Sequence, residues 1–251
     1  MPIQLTIAGC CGRMGCSIAS LALQDSLYAV AAAFEAPGHE AIGRDLGQVL
    51  GQPSAIGVSV LRDARAAMSL GDVTIDFTIP EATIAHAQLA KQLNKPMVIG
   101  TTGFSEEQIA SLRSLAAHIP IVLSPNMSVG VNLLFELAHL AAQRLGSSFD
   151  VEVIEAHHRH KKDSPSGTAK RLAQVLAAAR KQPEGSILVH AIRAGDIVGD
   201  HTVILAGPSE RIELTHSAHS REVFARGALR AAAFVVKQPP GLYAMADVLK
   251  A

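Results

Sequence analysis

The chain lacks an excess of charge and a long apolar run, and we expect no leader segment; each of these absences argues against a class of protein. It carries 22 Lys and Arg against 22 Asp and Glu, so no overall field attracts nucleic acid or an anionic membrane. Nowhere do apolar residues run unbroken for the ~18 positions that a spanning helix needs. The first residues, Met-Pro-Ile-Gln-Leu-Thr-Ile, enter a strand pattern directly, which leaves no room for a signal peptide. We expect no nucleic-acid partner and no membrane partner.

Cysteine is also scarce, and all three residues, Cys10, Cys11 and Cys16, lie in one glycine-rich turn. They are too close together for a disulfide framework and too few for a zinc site, and this usage suits a reducing, cytoplasmic location. Hydrophobic residues make up 49% of the 251 positions and charged residues 18%. The chain therefore has enough apolar material for a core, in one large domain or two ordinary ones.

The first strand pattern, Ile3 to Ala8, leads into a glycine turn typical of dinucleotide sites. Gly9, Gly12 and Gly15 follow it, and a helical pattern begins at Met14. In such a turn the first glycine permits the bend, the second lets a pyrophosphate approach the backbone, and the third lets the helix lie close to the sheet. The spacing is G-x-x-G-x-x-G rather than G-x-G-x-x-G, so an ordinary βα turn remains the alternative.

An acid follows the second apolar strand, where dinucleotide domains bind the adenosine ribose. The strand runs from Leu27 to Phe34 and ends in Glu35, which we expect to accept hydrogen bonds from the ribose hydroxyls. The alternative is a strand-end carboxylate that only faces water. With Ala36 beside it instead of an arginine, this carboxylate would repel a 2′-phosphate. NADH is the expected cofactor, and NADPH stays open because Arg13 can attract a phosphate.

Strand and helix patterns then alternate, as in a parallel sheet with crossover helices. The expected strands are Asp72 to Phe77, Pro96 to Ile99 and Ile119 to Leu123. Loops at the carboxyl ends of such strands line the ligand crevice. We expect Phe77-Thr78, Gly100 to Gly103 and Ser124 to Met127 beside the nicotinamide, although each loop alone is more often a plain turn. Residues 38–57 are loop-rich, and we predict no helix or strand for them.

The second half predicts a separate α+β domain. A long helix, Val129 to Leu145, is expected to present Leu133, Leu134, Leu137 and Leu140 on one side. After it the patterns give the strand Asp150 to Ala156, the helix Thr168 to Arg180, the strands Ile187 to Ile192, His201 to Leu205 and Glu210 to Ser217, and the helix Arg221 to Val236. The predicted architecture is α/β: a Rossmann-like dinucleotide-binding domain, residues 1–128 completed by 238–251, and an α+β substrate domain, residues 129–237.

The strongest chemical signal is the stretch that follows the strand Asp150 to Ala156. Residues 157–162 hold three histidines, an arginine and two lysines, and Ser-Pro-Ser-Gly then leads into a helix. His157 or His158 is the candidate acid/base, because imidazole titrates near neutral pH. Lys161 offers a positive charge or a proton. Gly167 and Thr168 offer amides and a hydroxyl to a carboxylate at the helix start.

Two plainer interpretations of this stretch remain. His157, His158 and His160 could ligate a metal, but a strand alternates their side chains between its faces, and no Cys, Asp or Glu pattern accompanies them. A solvated basic loop is the other. We expect no metal. His86, His118 and His139 on helices are expected to be ordinary packing or surface residues.

Several segments together resemble the 4-hydroxy-tetrahydrodipicolinate reductase (dihydrodipicolinate reductase) family. They include Gly9 to Gly15, Asp76-Phe-Thr78, Gly100 to Gly103, Ser124 to Asn132 and, most specifically, Glu155 to Thr168. The segments Arg193 to Gly199, Glu213 to His216 and Gly241 to Tyr243 also resemble the family. The resemblance runs nearly end to end. It implies hydride transfer from a reduced nicotinamide to C4 of a cyclic dicarboxylate substrate, in lysine biosynthesis through diaminopimelate.

The resemblance also implies roles. His157 is a proton donor or acceptor, Lys161 a proton donor, and His158, Gly167 and Thr168 hold substrate carboxylates. The cofactor residues are Gly9, Cys10, Cys11, Gly12, Arg13, Met14, Glu35, Gly100, Thr101, Thr102, Ser124, Pro125, Asn126 and Met127. The family is typically a homotetramer joined through the sheet of the substrate domain.

Two positions depart from the family pattern. Ala36 and Ile79 stand where NADPH-tolerant members carry basic residues, which favours NADH. Met127 replaces a frequent aromatic beside the nicotinamide. Alternatives to the assignment are another two-domain NAD(P) dehydrogenase, of which the semialdehyde type would need a catalytic cysteine outside the turn, and a nucleotide-binding sensor that has lost turnover.

Overall fold

A computed structural model describes all residues, 1–251, and shows two compact units. Unit 1 comprises residues 1–127 and 224–251, and unit 2 comprises residues 128–223. The sequence pattern predicted that the chain re-enters the first domain at residue 238. In the structure it re-enters earlier, at residue 224, so most of the helix Glu222–Val235 belongs to unit 1. Small buried residues of this helix, Ala225, Ala228, Ala231 and Ala232, allow it to pack closely there. No helix is long and apolar enough to cross a membrane.

Unit 1 contains a seven-stranded sheet whose neighbouring strands all run parallel. Its elements up to residue 127 are β1 (Ile3–Ala8), α1 (Arg13–Ala22), β2 (Tyr28–Phe34), α2 (Leu46–Val49), β3 (Val60–Leu61), α3 (Ala64–Leu70), β4 (Val73–Asp76), α4 (Pro80–Leu93), β5 (Met97–Ile99), α5 (Glu106–Ala116) and β6 (Pro120–Leu123). The elements of unit 2 are α6 (Val129–Leu145), β7 (Asp150–His157), α7 (Gly167–Ala179), β8 (Leu188–Arg193), β9 (Gly199–Ala206) and β10 (Arg211–Ala218). Then follow α8 (Glu222–Val235), β11 (Gly241–Tyr243) and α9 (Met245–Lys250).

The strand order of the first sheet is β11-β6-β5-β4-β1-β2-β3, the doubly wound order of dinucleotide-binding folds with one strand added. The order reverses between β1 and β4, and ligands of such sheets bind outside the carboxyl ends at that switch point. The predicted Rossmann-like fold is confirmed. Every residue of β4 and β5 is buried, as expected for strands covered on both faces.

Local capping explains where several helices begin. Ser105 and Gln108 form a capping box at the start of α5, and Pro80 occupies the first turn of α4, where its missing N–H costs nothing. The sequence pattern missed α3. Its N-terminus is capped by Asp63, whose side chain accepts from the Ala66 amide.

Unit 2 has a four-stranded sheet in the order β10-β9-β7-β8, in which only β7 and β8 run parallel. Its core joins α6, α7 and one face of β7 and β9, through residues such as Leu134, Leu172, Val153 and Val203. The other sheet face carries Leu188 and Ile192, 59% and 48% exposed.

The predicted apolar side of α6 was wrong in part. Leu134 alone is buried, at 4% exposure, whereas Leu133, Leu137 and Leu140 are 43–49% exposed. The buried stripe is Val131, Leu134, Ala138 and Ala142, because alanines let the helix lie close to its neighbours. The three exposed leucines form a separate stripe at i, i+4 and i+7.

Candidate active site

The glycine turn after β1 has the geometry of an anion site. Gly9 has a φ of +64°, a conformation that favours glycine. A Cβ on Gly15 would lie 2.2 Å from the Gly9 carbonyl oxygen, so only glycine permits this close approach of α1 to the turn. Helix α1 begins after Gly12 with no side-chain cap and no acidic residue in its first turn. Its positive end and terminal amides therefore suit a pyrophosphate.

The carboxylate of Glu35 is held against this turn. One oxygen accepts from the Cys11 amide at 3.1 Å and the other from the Ala36 amide at 2.9 Å. Each carboxylate oxygen has a second lone pair that can accept a hydrogen bond, so both oxygens can accept hydrogen bonds from ribose hydroxyls. The structure thus brings together the turn and the acid that the sequence pattern singled out, with Arg13 exposed beside them.

A buried carboxylate, Asp76, joins the loops after β4 and β5. It is fully buried and accepts from the Thr78 amide at 2.9 Å, the Thr78 hydroxyl at 2.6 Å, the Thr83 hydroxyl at 3.1 Å and the Thr101 hydroxyl at 3.3 Å. Its other oxygen contacts the His86 Nδ1 atom at 2.7 Å. Burial favours a raised pKa for Asp76, but the bonds from His86 and Thr78 outweigh it and lower the pKa. The expectation of a merely packing or surface role for His86 was therefore incomplete.

The other loops at the carboxyl edge are also tied to the strands. The Gly100 amide donates to the Asp76 carbonyl at 2.9 Å, and the Ser124 amide donates to the Ile99 carbonyl at 3.1 Å. The Ser124 hydroxyl donates to the Asn126 carbonyl at 2.8 Å. The three loops expected beside the nicotinamide are therefore neighbours. Met127, which ends the third loop, is only 1% exposed.

In unit 2, the end of β7 positions His157 through a buried acid. Glu155 and His157 lie two residues apart on one strand face, and the His157 Nδ1 atom is hydrogen-bonded to the Glu155 carboxylate. Arg193 clamps that fully buried carboxylate with two bonds of 2.9 and 2.8 Å, and the Ser166 amide adds a third at 3.1 Å. This bidentate geometry is among the strongest that side chains make. It fixes the orientation of the imidazole ring.

The environment of His157 keeps its ring neutral near neutral pH. Burial lowers its pKa, and the charges of Lys161 and Arg193 act in the same direction, against the raising effect of Glu155. With Nδ1 bonded to Glu155, Nε2 is the ring nitrogen left for chemistry. A Cβ on Gly199 would lie 3.0 Å from Nε2, so the absence of a side chain there leaves space beside this atom.

A second histidine, His201, backs the same region. It is 4% exposed, its ring lies 5.2 Å edge-on from that of His157, and its Nε2 atom lies 3.2 Å from the Ser166 hydroxyl. Burial, together with the charge of His157, lowers its pKa to about 4. Ser166 also caps α7, because its hydroxyl accepts from the Ala169 amide at 3.2 Å. His201 thus steadies the start of the helix that carries Gly167 and Thr168.

The remaining predicted residues lie in the loop between β7 and α7. Lys161 pairs with Asp163 at 2.8 Å, and its amide donates to the His158 carbonyl at 3.1 Å. Its charge reaches far enough to lower the pKa of both His157 and His201. Helix α7 begins at Gly167, where an added Cβ would meet no atom within 4 Å. Cations, an oriented imidazole and a helix N-terminus therefore gather in one region of unit 2.

Sequence reasoning missed the supporting residues Glu155, Arg193, Ser166 and His201. The spacing of Glu155 and His157 carried a signal, since alternate strand residues share a face. Arg193 lies in a segment that resembles the family, but no local pattern indicated its contact with Glu155. That contact depends on the pairing of β7 with β8, which places Arg193 opposite His157.

The fold and the site define the class. A doubly wound sheet with a glycine turn and an acid held against that turn, in a chain whose second unit carries an oriented, buried histidine, is typical of two-domain nucleotide-dependent oxidoreductases. Comparison with known proteins identifies the family within this class. The family models for the N-terminus and the C-terminus of dihydrodipicolinate reductase match residues 3–127 and 130–249. The chain belongs to the dihydrodipicolinate reductase family.

Individual relatives agree over nearly the whole chain. The 4-hydroxy-tetrahydrodipicolinate reductase of Syntrophobacter fumaroxidans is 46% identical, covering 98% of each chain. That of Aromatoleum aromaticum is also 46% identical, over 99% of this chain and 96% of its own. A dipicolinate-bound dihydrodipicolinate reductase from Paenisporosarcina sp. TG-14 superposes with a TM-score of 0.81 at 28% identity, covering 97% of this chain and 98% of its own. The predicted resemblance is confirmed.

Proposed function

We propose that the protein reduces 4-hydroxy-tetrahydrodipicolinate to tetrahydrodipicolinate with NAD(P)H, in lysine biosynthesis through diaminopimelate. The observation that carries this is His157, held by the buried Glu155–Arg193 pair in the same loop region as Lys161 and the start of α7. Family membership supplies the substrate class, and the oriented histidine supplies a proton carrier for it.

The residues of unit 1 fit a nicotinamide dinucleotide. The uncapped start of α1 suits the pyrophosphate, and Glu35 suits the ribose hydroxyls. The loops tied together by Asp76 would offer backbone groups to the nicotinamide. When bound, the cofactor supplies a hydride to C4 of the substrate.

The cationic loop of unit 2 suits a substrate with two carboxylates. His158 would hold one carboxylate, and the amide of Gly167 with Thr168 at the start of α7 would hold the other. A relative that crystallised with dipicolinate, a ring dicarboxylate, supports this class of substrate. Lys161 would exchange its partner Asp163 for the substrate, since both side chains are partly exposed.

Protons move through His157 and Lys161. Loss of water across C4 and C5 gives a C4–C5 double bond conjugated with the ring imine. Hydride addition at C4 sends electrons towards the ring nitrogen, and one proton, which ends on C5, neutralises that anion and restores the imine. His157, neutral and hydrogen-bonded to Glu155 through Nδ1, carries a proton on or off through Nε2. The Lys161 ammonium stabilises the developing anion and donates a proton to it.

NADH is the preferred cofactor in this proposal. The Glu35 carboxylate, held against the glycine turn, would repel a 2′-phosphate on the adenosine ribose. Ala36 and the exposed Ile79 offer no cation to offset it, although Arg13 remains available. A higher kcat/KM for NADPH than for NADH would refute this preference.

The assembly and the location are parts of the same proposal. The sheet face of unit 2 with the exposed Leu188 and Ile192, flanked by Ile154 and Ile204 on β7 and β9, suits pairing into a homotetramer. The units take the roles of cofactor domain and substrate domain. A cytoplasmic location follows from free cysteines and a biosynthetic role.

The roles of the catalytic pair are tested by kinetics. Purified protein oxidises NADH while substrate is generated in the cuvette from pyruvate and aspartate semialdehyde. His157→Gln and Lys161→Met are expected to lower kcat by roughly 10²–10⁴ with NADH binding intact, whereas His139→Gln, an exposed histidine on α6, is a matched control. Unchanged rates in the first two variants would refute their roles.

A further inference from the structure

The glycine turn carries two thiols whose arrangement suits a soft metal ion. The Sγ atoms of Cys10 and Cys11 lie 3.8 Å apart, and the Glu35 carboxylate joins them in a group whose ligand atoms all lie within 4.8 Å of one another. Three cysteines close in sequence had suggested too few ligands for zinc. The carboxylate at the end of β2 supplies the missing one, and it reaches the turn only through the pairing of β1 with β2.

The distance between the sulfurs matches a tetrahedral site. Two thiolates bound at about 2.3 Å to one tetrahedral ion lie about 3.8 Å apart, the separation observed. A carboxylate oxygen at about 2.1 Å would lie about 3.6 Å from each sulfur, so Glu35 needs to move by roughly an ångström or less. Water would complete the four ligands.

We propose that Cys10, Cys11 and Glu35 bind a thiophilic divalent cation such as Zn²⁺ or Cd²⁺, and that this ion excludes NADH. The exclusion rests on the proposed function, in which the same turn and the same carboxylate hold the dinucleotide. An ion on Glu35 occupies the oxygens that the ribose hydroxyls need, and its ligands draw the turn together where the pyrophosphate would approach.

Binding of the ion releases two protons. It breaks two S–H bonds and forms two metal–sulfur bonds, and the two protons go to solvent.

The turn also explains which cysteine takes no part. The Cys16 Sγ atom points at the Cys10 carbonyl, 3.3 Å away, and does not belong to the ligand group. Cys16→Ser is therefore a matched control that removes a neighbouring thiol and keeps the site.

The test is a titration of the freshly reduced full-length protein with Cd²⁺ alone, followed by the ultraviolet absorption of the thiolate–cadmium bond. We expect one ion per chain, loss of the signal in Cys11→Ser, weaker binding in Glu35→Gln, and wild-type behaviour in Cys16→Ser. Circular dichroism confirms that each variant is folded. No thiolate absorption in the wild type, or equal binding in Cys11→Ser and Cys16→Ser, would overturn the site.

NADH binding is then measured by its fluorescence, with and without Cd²⁺ and without turnover. We expect the apparent Kd for NADH of the wild type to rise in proportion to the cadmium concentration. Cys11→Ser is compared with its own cadmium-free Kd for NADH, and cadmium should produce no such rise in it. Cadmium and NADH bound together, without mutual effect, would overturn the exclusion. Failure of NADH to bind the metal-free protein would instead contradict the proposed function and leave the metal site standing.

Discussion

The buried histidine of unit 2 makes stability depend on pH in a way that one substitution can isolate. His201 is 4% exposed, and its pKa is lowered to about 4 from an ordinary value of 6.5. Between these two values the unfolded chain binds a proton that the folded chain refuses, so the free energy of unfolding falls as the pH falls. Above the ordinary pKa the ring is neutral in both the folded and the unfolded chain, so it adds no pH dependence to the free energy of unfolding.

The magnitude follows from the pKa difference. A shift of the pKa from 6.5 to about 4 corresponds to about 3 kcal/mol in total, at about 1.4 kcal/mol per pH unit, and the total is reached only below the folded-state pKa. Roughly 2 kcal/mol of this should be lost between about pH 7 and about pH 5. His157 and His216 also have lowered pKa values and act with the same sign. A comparison with a variant is therefore needed.

The variant is His201→Gln, whose side-chain amide can still reach the Ser166 hydroxyl but does not titrate. Urea unfolding of wild type and variant is measured at several pH values from about 7 to about 5. The difference in unfolding free energy between the two should shrink by about 2 kcal/mol as the pH falls. His139→Gln on α6 is the control. If the free energies of unfolding of wild type and His201→Gln change with pH in parallel, the lowered pKa of His201 is refuted.

Three further predictions follow from single contacts. Gly227→Ala should destabilise unit 1 by about 1–3 kcal/mol or prevent folding, because its Cβ would lie 1.7 Å from the Met127 carbonyl oxygen; thermal unfolding checks this, and an unshifted Tm would contradict it. Arg193→Met should cost about 3–5 kcal/mol at neutral pH, since it leaves the buried Glu155 carboxylate without its clamp; a loss below 1 kcal/mol in urea unfolding would show that the clamp is not needed. Ala36→Arg should raise kcat/KM for NADPH relative to NADH, by offsetting the nearby carboxylate, and an unchanged ratio would argue against a 2′-phosphate at this position.

The sequence predicted the first sheet well because its strands are continuously apolar and its turns carry strong local signals. The capping box at Ser105 and the glycines of the first turn are local features of this kind. Residues 38–57 resisted prediction because their order comes from one side chain. Asp45 accepts from the amides of Gly47, Ile56 and Gly57 at 2.8–3.0 Å, and no periodic pattern reports such a contact.

The candidate reactive groups of the site are visible in the sequence, whereas the residues that support them are not. Composition alone draws attention to residues 157–162, with His157 or His158 and Lys161 as candidates. The contact of Arg193 with Glu155 depends on which strand pairs with β7, and that of His86 with Asp76 on how α4 lies beside β4. The ligand group Cys10, Cys11 and Glu35 likewise joins residues that only the parallel pairing of β1 and β2 brings together.

The most direct test of the central claim is to follow the hydride itself. The wild-type protein is given NADH deuterated at the transferable position of its nicotinamide C4, with substrate generated from pyruvate and aspartate semialdehyde, and the product is analysed by mass spectrometry. We expect tetrahydrodipicolinate that carries deuterium at C4, formed in step with NADH oxidation. Absence of labelled product, with the substrate present and the protein folded, would contradict it.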